Sequence, residues 1–176
     1  MRKLFPILLF IFLLAGCSMP SFKRMPEPVS TDLPYTQCAW SWASQSLPGL
    51  NARVEADMLA AGLKGVTVNA EAYGENCITV GGKVDHFTIM ETDFRITAIV
   101  ADLTGKDDLG NLLEKILGVL DAVPTDKIPG PQQGNINVSF RAGRDELNIM
   151  FTITAGKSAR ALGQHGAALL EELQKK

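Results

Sequence analysis

The chain has 176 residues, and its 17 Lys and Arg stand against 19 Asp and Glu, which gives a formal net charge of −2. This mild acidity argues against nucleic-acid binding, which needs a basic face, and against electrostatic attachment to anionic lipid. The length predicts one domain that buries roughly two-thirds of the surface its unfolded chain would expose.

The first residues follow the pattern of a secretory signal peptide. Met1-Arg2-Lys3 is a basic start, an apolar run from Leu4 to Leu13 follows, and small residues come next. A transmembrane helix needs about 20 apolar residues, so this run is too short to be one. It also lacks the polar face of an amphipathic core helix. We predict that residues 1–16 form a signal peptide.

The tetrapeptide Leu14-Ala15-Gly16-Cys17 resembles the lipobox of bacterial lipoproteins. The resemblance implies cleavage before Cys17, acylation of this Cys with chains such as palmitate, and attachment to a membrane of the cell envelope. Because each buried CH₂ of an acyl chain contributes about 0.8 kcal/mol, two or three chains would hold the protein firmly. Ser18 rather than Asp implies passage to the outer membrane in a host with two membranes. In a host with one membrane, the protein would lie on its outer face.

We predict that residues 17–34 form a lipidated flexible tether, because prolines recur there among Ser, Thr and charged residues. Residues 35–176 then form the domain. With Cys17 assigned to lipid, Cys38 and Cys77 remain as an even pair in an oxidising compartment, and we predict that they form a disulfide rather than two buried thiols. Trp40 and Trp42 cap the core or reach the bilayer interface, and packing on the domain is the favoured alternative.

Three segments have the apolar periodicity of helices: Leu47–Ala61, Asp107–Val123 and Lys157–Leu173. Ser46 is expected to cap the first helix, and Gly62 to end it. In the third segment we expect Gly163 and Gly166 to allow close approach to the sheet.

Other segments alternate as strands do. They are Val66–Tyr73, a short Ile78–Val80, Phe87–Asp102, and a hairpin with strands at Ile136–Ala142 and Leu147–Ile153. Alternation slips in the longest segment, which predicts a β-bulge near Glu91 to Asp93.

The element order α-β-(β)-β-α-β-β-α predicts an α+β fold. We expect a two-layer sandwich with an antiparallel sheet of 4–5 strands and three helices on one face. This order is similar to that of the secretion-chaperone-like fold, a resemblance of element order that implies little about function.

No nucleophile elbow, zinc-protease motif, Walker loop or Cys/His cluster occurs in the sequence. We therefore predict no catalytic residues and no cofactor. The only metal or acid/base candidates are Glu91 and Asp93, near Asp85 and His86, because residues at i and i+2 point to one side of a strand. The simpler interpretation is a charged, exposed strand face.

The outward face of the predicted sheet is the stronger candidate for function. Its candidate binding residues are Glu71, Tyr73, Arg95, Arg141 and Met150. They suit a peptide, a glycan or a second copy of the protein, whereas the simpler alternative is an ordinary solvated sheet. The leading hypothesis is a membrane-anchored, non-enzymatic binding or assembly module with an envelope partner. The alternative is a hydrolytic or metal-dependent envelope enzyme that uses Glu91 and Asp93.

Overall fold

The structure, a computed structural model, describes residues 37–175. The predicted signal peptide, the lipobox with Cys17 and the tether of residues 17–34 lie outside the described residues. Those assignments therefore stay predictions.

The described chain is an α+β domain, as the element order predicts. One five-stranded sheet has the strand order β1-β2-β3-β4-β5. The elements, in chain order, are β1 (Ala39–Ser46), α1 (Pro48–Ala60), β2 (Val66–Ile78), β3 (Val84–Ile99), α2 (Lys106–Ala122), a 3₁₀ turn (Thr125–Lys127), β4 (Gln132–Ala142), β5 (Asp145–Thr152), α3 (Ile153–Ala161) and α4 (Gly166–Gln174).

Alternation along the strands places their apolar side chains on one face of the sheet. The register aligns Val68, Ile96, Val138 and Ile149 across four neighbouring strands, and all four are buried. All four helices contribute buried side chains to the same core cluster, so they cover this face and leave the opposite one outward.

The sheet is mixed, which corrects the prediction of a purely antiparallel one. β3 and β4 pair in parallel, and the other neighbouring strands pair antiparallel. The physical reason is α2, because a helical crossover returns the chain to the end of the sheet from which β3 started.

The described residues form four helices rather than the three predicted, because the predicted C-terminal helix is broken into α3 and α4. Gly163 has a positive φ of 77° and ends α3, where the Gln164 N–H donates to the carbonyl of Ala159 at 3.1 Å. A Cβ on Gly110 of α2 would overlap the backbone of Gly166, so Gly166 approaches α2 rather than the sheet.

Two local expectations near the N-terminal half are also corrected. Ser46 does not cap α1; it ends β1, and Leu47 is the residue before the first helical turn. The predicted short strand at Ile78–Val80 does not form separately. Ile78 ends β2, and the Thr79 N–H donates to the carbonyl of Lys83 at 2.9 Å in a turn.

The bulge predicted near Glu91 is present in β3. Tyr73 pairs with Glu91 and Gly74 pairs with Ile89, so Met90 is the extra residue. The bulge turns Glu91 and Asp93 to the outward face, although they share parity with the inward Ile89.

Candidate functional site

Across β2 to β5, charged and polar side chains of the outward face pair with one another. The Arg95 guanidinium lies 2.9 Å from the Glu71 carboxylate, and Arg141 lies 3.3 Å from Glu146. The Ser139 hydroxyl donates to the side-chain oxygen of Asn148. Three of the five sequence-predicted binding residues, Glu71, Arg95 and Arg141, therefore already have partners within the protein. The other two, Tyr73 and Met150, are exposed.

The outward face also carries an aromatic patch, formed by Trp40, Trp42, Tyr73 and His86. The rings of Trp42 and Tyr73 stack with centroids 5.5 Å apart, and Trp40 meets His86 edge-on at 5.7 Å. Trp40 is 51% exposed and Trp42 is 60% exposed. These indoles thus pack on the outside of the domain and do not cap its core.

Register explains why these side chains share a face. Trp40 lies opposite Cys77, and Cys77 lies opposite His86 on the next strand. Directly opposed residues in an antiparallel ladder project to the same side of the sheet. Trp40 and Trp42 are not among the sequence-predicted site residues because the sequence pattern did not predict β1.

Within the described part of the chain, β1 is an edge strand without the usual protection against pairing. Among the described residues it pairs only with β2, over eight consecutive residue pairs without a register shift. Its sequence, Ala-Trp-Ser-Trp-Ala-Ser-Gln-Ser, contains no charge and no proline. Charges, prolines and bulges are the devices that normally stop an edge strand from pairing with another chain.

The stretch of β2 that extends beyond β1 is covered by α1. The Asn51 side-chain oxygen accepts from the Ala70 N–H at 2.6 Å, and a Glu55 carboxylate oxygen accepts from the Val68 N–H at 2.9 Å. The Leu47 N–H donates to the Ala70 carbonyl at 3.0 Å. Side chains and backbone from the start of α1 therefore satisfy edge groups of β2.

The opposite edge strand, β5, carries charge. It begins with Asp145 and Glu146, and it leads directly into α3. The side chains of Ser139 and Asn148 and the positive charge of Arg141 lower the pKa of Glu146 below its ordinary value of 4.5, which favours the charged carboxylate at this edge.

Of Glu91 and Asp93, the predicted alternative site for catalysis or metal binding, Asp93 makes a structural contact. Asp93 Oδ1 accepts from the Asn135 N–H at 2.7 Å, where the pairing of β3 with β4 is irregular. A Cβ on Gly134 would collide with this carboxylate. Asp93 therefore holds the start of β4 in place, and Glu91 lies two residues away on the same side of β3.

Asp85 and His86 join a different group. In the described chain, the cluster of potential metal-ligating atoms within 4.8 Å of one another comprises Cys77, Asp85 and His86, and includes neither Glu91 nor Asp93. As predicted, Cys77 forms a disulfide with Cys38, with the two Cα atoms 4.9 Å apart.

A broad depression on the helical side lies between α1 and α2. It measures about 590 Å³, and its lining includes Arg53, Asp57 and Lys115, which are all exposed. It contains none of the sequence-predicted site residues and no buried carboxylate.

None of the described helices is long and apolar enough to cross a membrane. No protein family, no curated protein and no solved structure matches this chain significantly. The sheet and its edges are therefore the features that indicate function.

Proposed function

We propose that the protein is a membrane-anchored, non-enzymatic binding module of the cell envelope, and that β1 pairs with an extended strand of a partner protein. The observation that carries this proposal is the uncharged, eight-residue edge of β1, which only β2 covers among the described residues. Main-chain hydrogen bonds along such an edge supply affinity for an added strand.

The aromatic patch supplies side-chain contacts for the added strand. Alternate residues of the incoming strand would lie beside Trp40 and Trp42, and cross-strand pairs with aromatic residues contribute roughly 0.2–1 kcal/mol each. Trp is also among the residue types most enriched at energetic hot spots of interfaces. Selectivity would thus come from the partner's residues that face the two indoles.

The predicted lipid anchor complements this edge. β1 begins 22 residues after Cys17, a span of at most about 75 Å when fully extended. Anchoring confines the domain to a thin layer near the membrane, which raises its effective concentration toward a partner in the same layer. A modest strand-pairing affinity is then sufficient for the anchored domain to bind this partner.

Site-specific photo-crosslinking in intact cells tests the proposal. A photoreactive residue replaces Ser44 in β1 or, as a matched control, Met150 in β5; both side chains are exposed, and both lie on the outward face. We expect an adduct with another envelope protein from position 44 and none from position 150, and we expect Trp42→Lys to abolish it. Equal adducts from both positions would contradict the proposal, and an adduct only with a second copy would indicate a homodimer.

A further inference from the structure

Four potential metal ligands converge where β1, β2 and β3 meet at one end of the sheet. Cys77, Asp85 and His86 each offer an atom within 4.8 Å of the others, and the disulfide brings Cys38 to the same place. Cys77 is fully buried, whereas the side chains of Asp85 and His86 are about half exposed. Pairing of β2 with β3 fixes this arrangement, because it places Cys77 opposite His86.

We propose that this end of the sheet is a redox-gated site for a transition-metal ion of the Zn²⁺ class. In the reduced protein, the thiolates of Cys38 and Cys77, an imidazole nitrogen of His86 and a carboxylate oxygen of Asp85 bind one ion. Two sulfurs, one nitrogen and one oxygen form a four-ligand set that suits tetrahedral Zn²⁺. Metal binding at this site does not require the strand pairing proposed for β1, although the two share His86, which also belongs to the aromatic patch.

The disulfide is what closes the site. Sulfur ligands bind such metals as thiolates, and the two sulfurs of a disulfide carry no negative charge. In the oxidised protein, the Asp85 carboxylate instead lies 2.8 Å from Nδ1 of His86. The disulfide joins the residue before β1 to the end of β2, and the metal would join these two places and the start of β3.

Opening the site requires a dithiol reductant. Its thiolate attacks the sulfur of Cys38, which is half-buried, whereas Cys77 is fully buried. The sulfur–sulfur bond breaks, Cys77 leaves as a thiolate, and a mixed disulfide with Cys38 forms. The second thiol of the reductant resolves this intermediate. The reductant leaves as a disulfide after giving two electrons and two protons, and Zn²⁺ then displaces those two protons from Cys38 and Cys77.

Anaerobic titration with Co²⁺, followed by displacement with Zn²⁺, tests the proposal. The protein is the full chain in detergent with Cys17→Ser, so that Cys38 and Cys77 are its only thiols. After reduction, we expect one Co²⁺ per chain, with thiolate-to-cobalt charge-transfer absorption and quenching of Trp fluorescence, since the ring of Trp40 meets that of His86. One equivalent of Zn²⁺ should remove these signals. The oxidised protein should bind at least 100-fold more weakly.

The two histidines provide a matched pair of variants. His86→Gln should weaken Co²⁺ binding at least tenfold, and His165→Gln should leave it unchanged, because His165 is an exposed residue that pairs with Glu114 in another part of the domain. Asp85→Asn should also weaken binding. Equal binding by the His86→Gln variant and the unsubstituted chain would overturn the proposal.

If reduction loosens the fold, circular dichroism still decides whether the reduced chain binds metal. A reduced chain that loses β structure should regain it on addition of one equivalent of Zn²⁺, and the Cys38→Ser/Cys77→Ser chain should show neither cobalt–thiolate absorption nor a response to Zn²⁺. Absence of cobalt–thiolate absorption in the reduced chain, with no structural response to Zn²⁺, would overturn the proposal.

Discussion

The two edges of this sheet differ in how they meet other chains. β5 begins with Asp145 and Glu146 and leads straight into a helix, whereas β1 carries no charge along its eight residues. Charged side chains on an edge strand disfavour pairing with another chain, whereas an uncharged edge permits it. In the same sheet, Asn51 and Glu55 of α1 cover the stretch of β2 that extends beyond β1. Within the described residues, edge protection is thus present elsewhere in the sheet and absent at β1, which is why the proposal places a partner strand there.

The outward face repeats this contrast. Toward β5, Arg141 pairs with Glu146 and Ser139 with Asn148, so that the polar groups are satisfied within the protein. Toward β1, Trp40 and Trp42 expose ring area that a partner could bury, and elsewhere on the outward face the apolar side chains of Ile99 and Met150 are also exposed. The polar residues first selected as a binding surface are therefore less available than the aromatic patch.

The largest expected effect comes from releasing β1. Cys38→Ser/Cys77→Ser removes a cross-link between residues 39 positions apart, and the chain-entropy treatment gives a loss of about 4 kcal/mol in the free energy of unfolding. Urea unfolding of the oxidised protein and the double variant, both with a chelator, measures the loss. Hydrogen exchange should accelerate first in β1. A loss below about 1 kcal/mol would mean that the disulfide is not what holds this edge.

The next effect concerns the edge that α1 covers. Asn51→Ala leaves the Ala70 N–H without its acceptor, which should lower the free energy of unfolding by about 1–3 kcal/mol. Arg53→Ala on the same helix is the matched control, because its 3.9 Å ion pair with Asp57 is exposed and should contribute about 0.5 kcal/mol or less. Similar losses in both variants would show that α1 does not protect β2 through Asn51.

A smaller effect is expected between the two edges, at Asp93. Asp93→Ala removes the acceptor for the Asn135 N–H and should cost about 1 kcal/mol of unfolding free energy. Asp93→Asn should cost less, because its amide oxygen can still accept that bond. Urea unfolding gives both values. An equal loss of unfolding free energy in Asp93→Asn and Asp93→Ala would contradict the proposed role of this acceptor.

The smallest effect is a pH dependence at the charged edge. Because Ser139, Asn148 and Arg141 lower the pKa of Glu146 below its ordinary value of 4.5, the folded state binds this proton less readily than the unfolded state. Its stabilisation is therefore fully present above about pH 4.5 and is lost as the pH falls through the lowered pKa. Urea midpoints of the unsubstituted chain and Glu146→Gln should differ at neutral pH and converge in acid. A difference that is constant with pH would contradict this assignment.

Alternation and helical periodicity predicted most of the fold. The strand face with Val68, Ile96 and Val138 is buried as predicted, because one buried face leaves a clear period of two. β1 leaves no such period, since nearly all of its residues are exposed on both faces. The sequence also does not show that the C-terminal helix ends at Gly163. A glycine can either continue a helix at a cost or end it with a positive φ.

The candidate site was less predictable than the fold because it depends on distant pairings. The contact of Asp93 with Asn135 joins residues 42 positions apart, through a parallel register that alternation alone does not specify. Whether a strand lies at an edge is also a property of the whole sheet. The aromatic patch, the open edge and the Cys77–His86 juxtaposition therefore emerge only when the strands are placed side by side.

Hydrogen exchange of β1 in its native surroundings tests the strand-pairing proposal most directly. Peptides that cover Ala39–Ser46 and Asp145–Thr152 are compared between the purified protein and membrane vesicles from the producing cells. We expect β1 amides to be markedly slower to exchange in the vesicles, because a partner strand occupies the open edge, and β5 amides to be unchanged. Identical exchange of β1 in the two preparations would contradict the proposal.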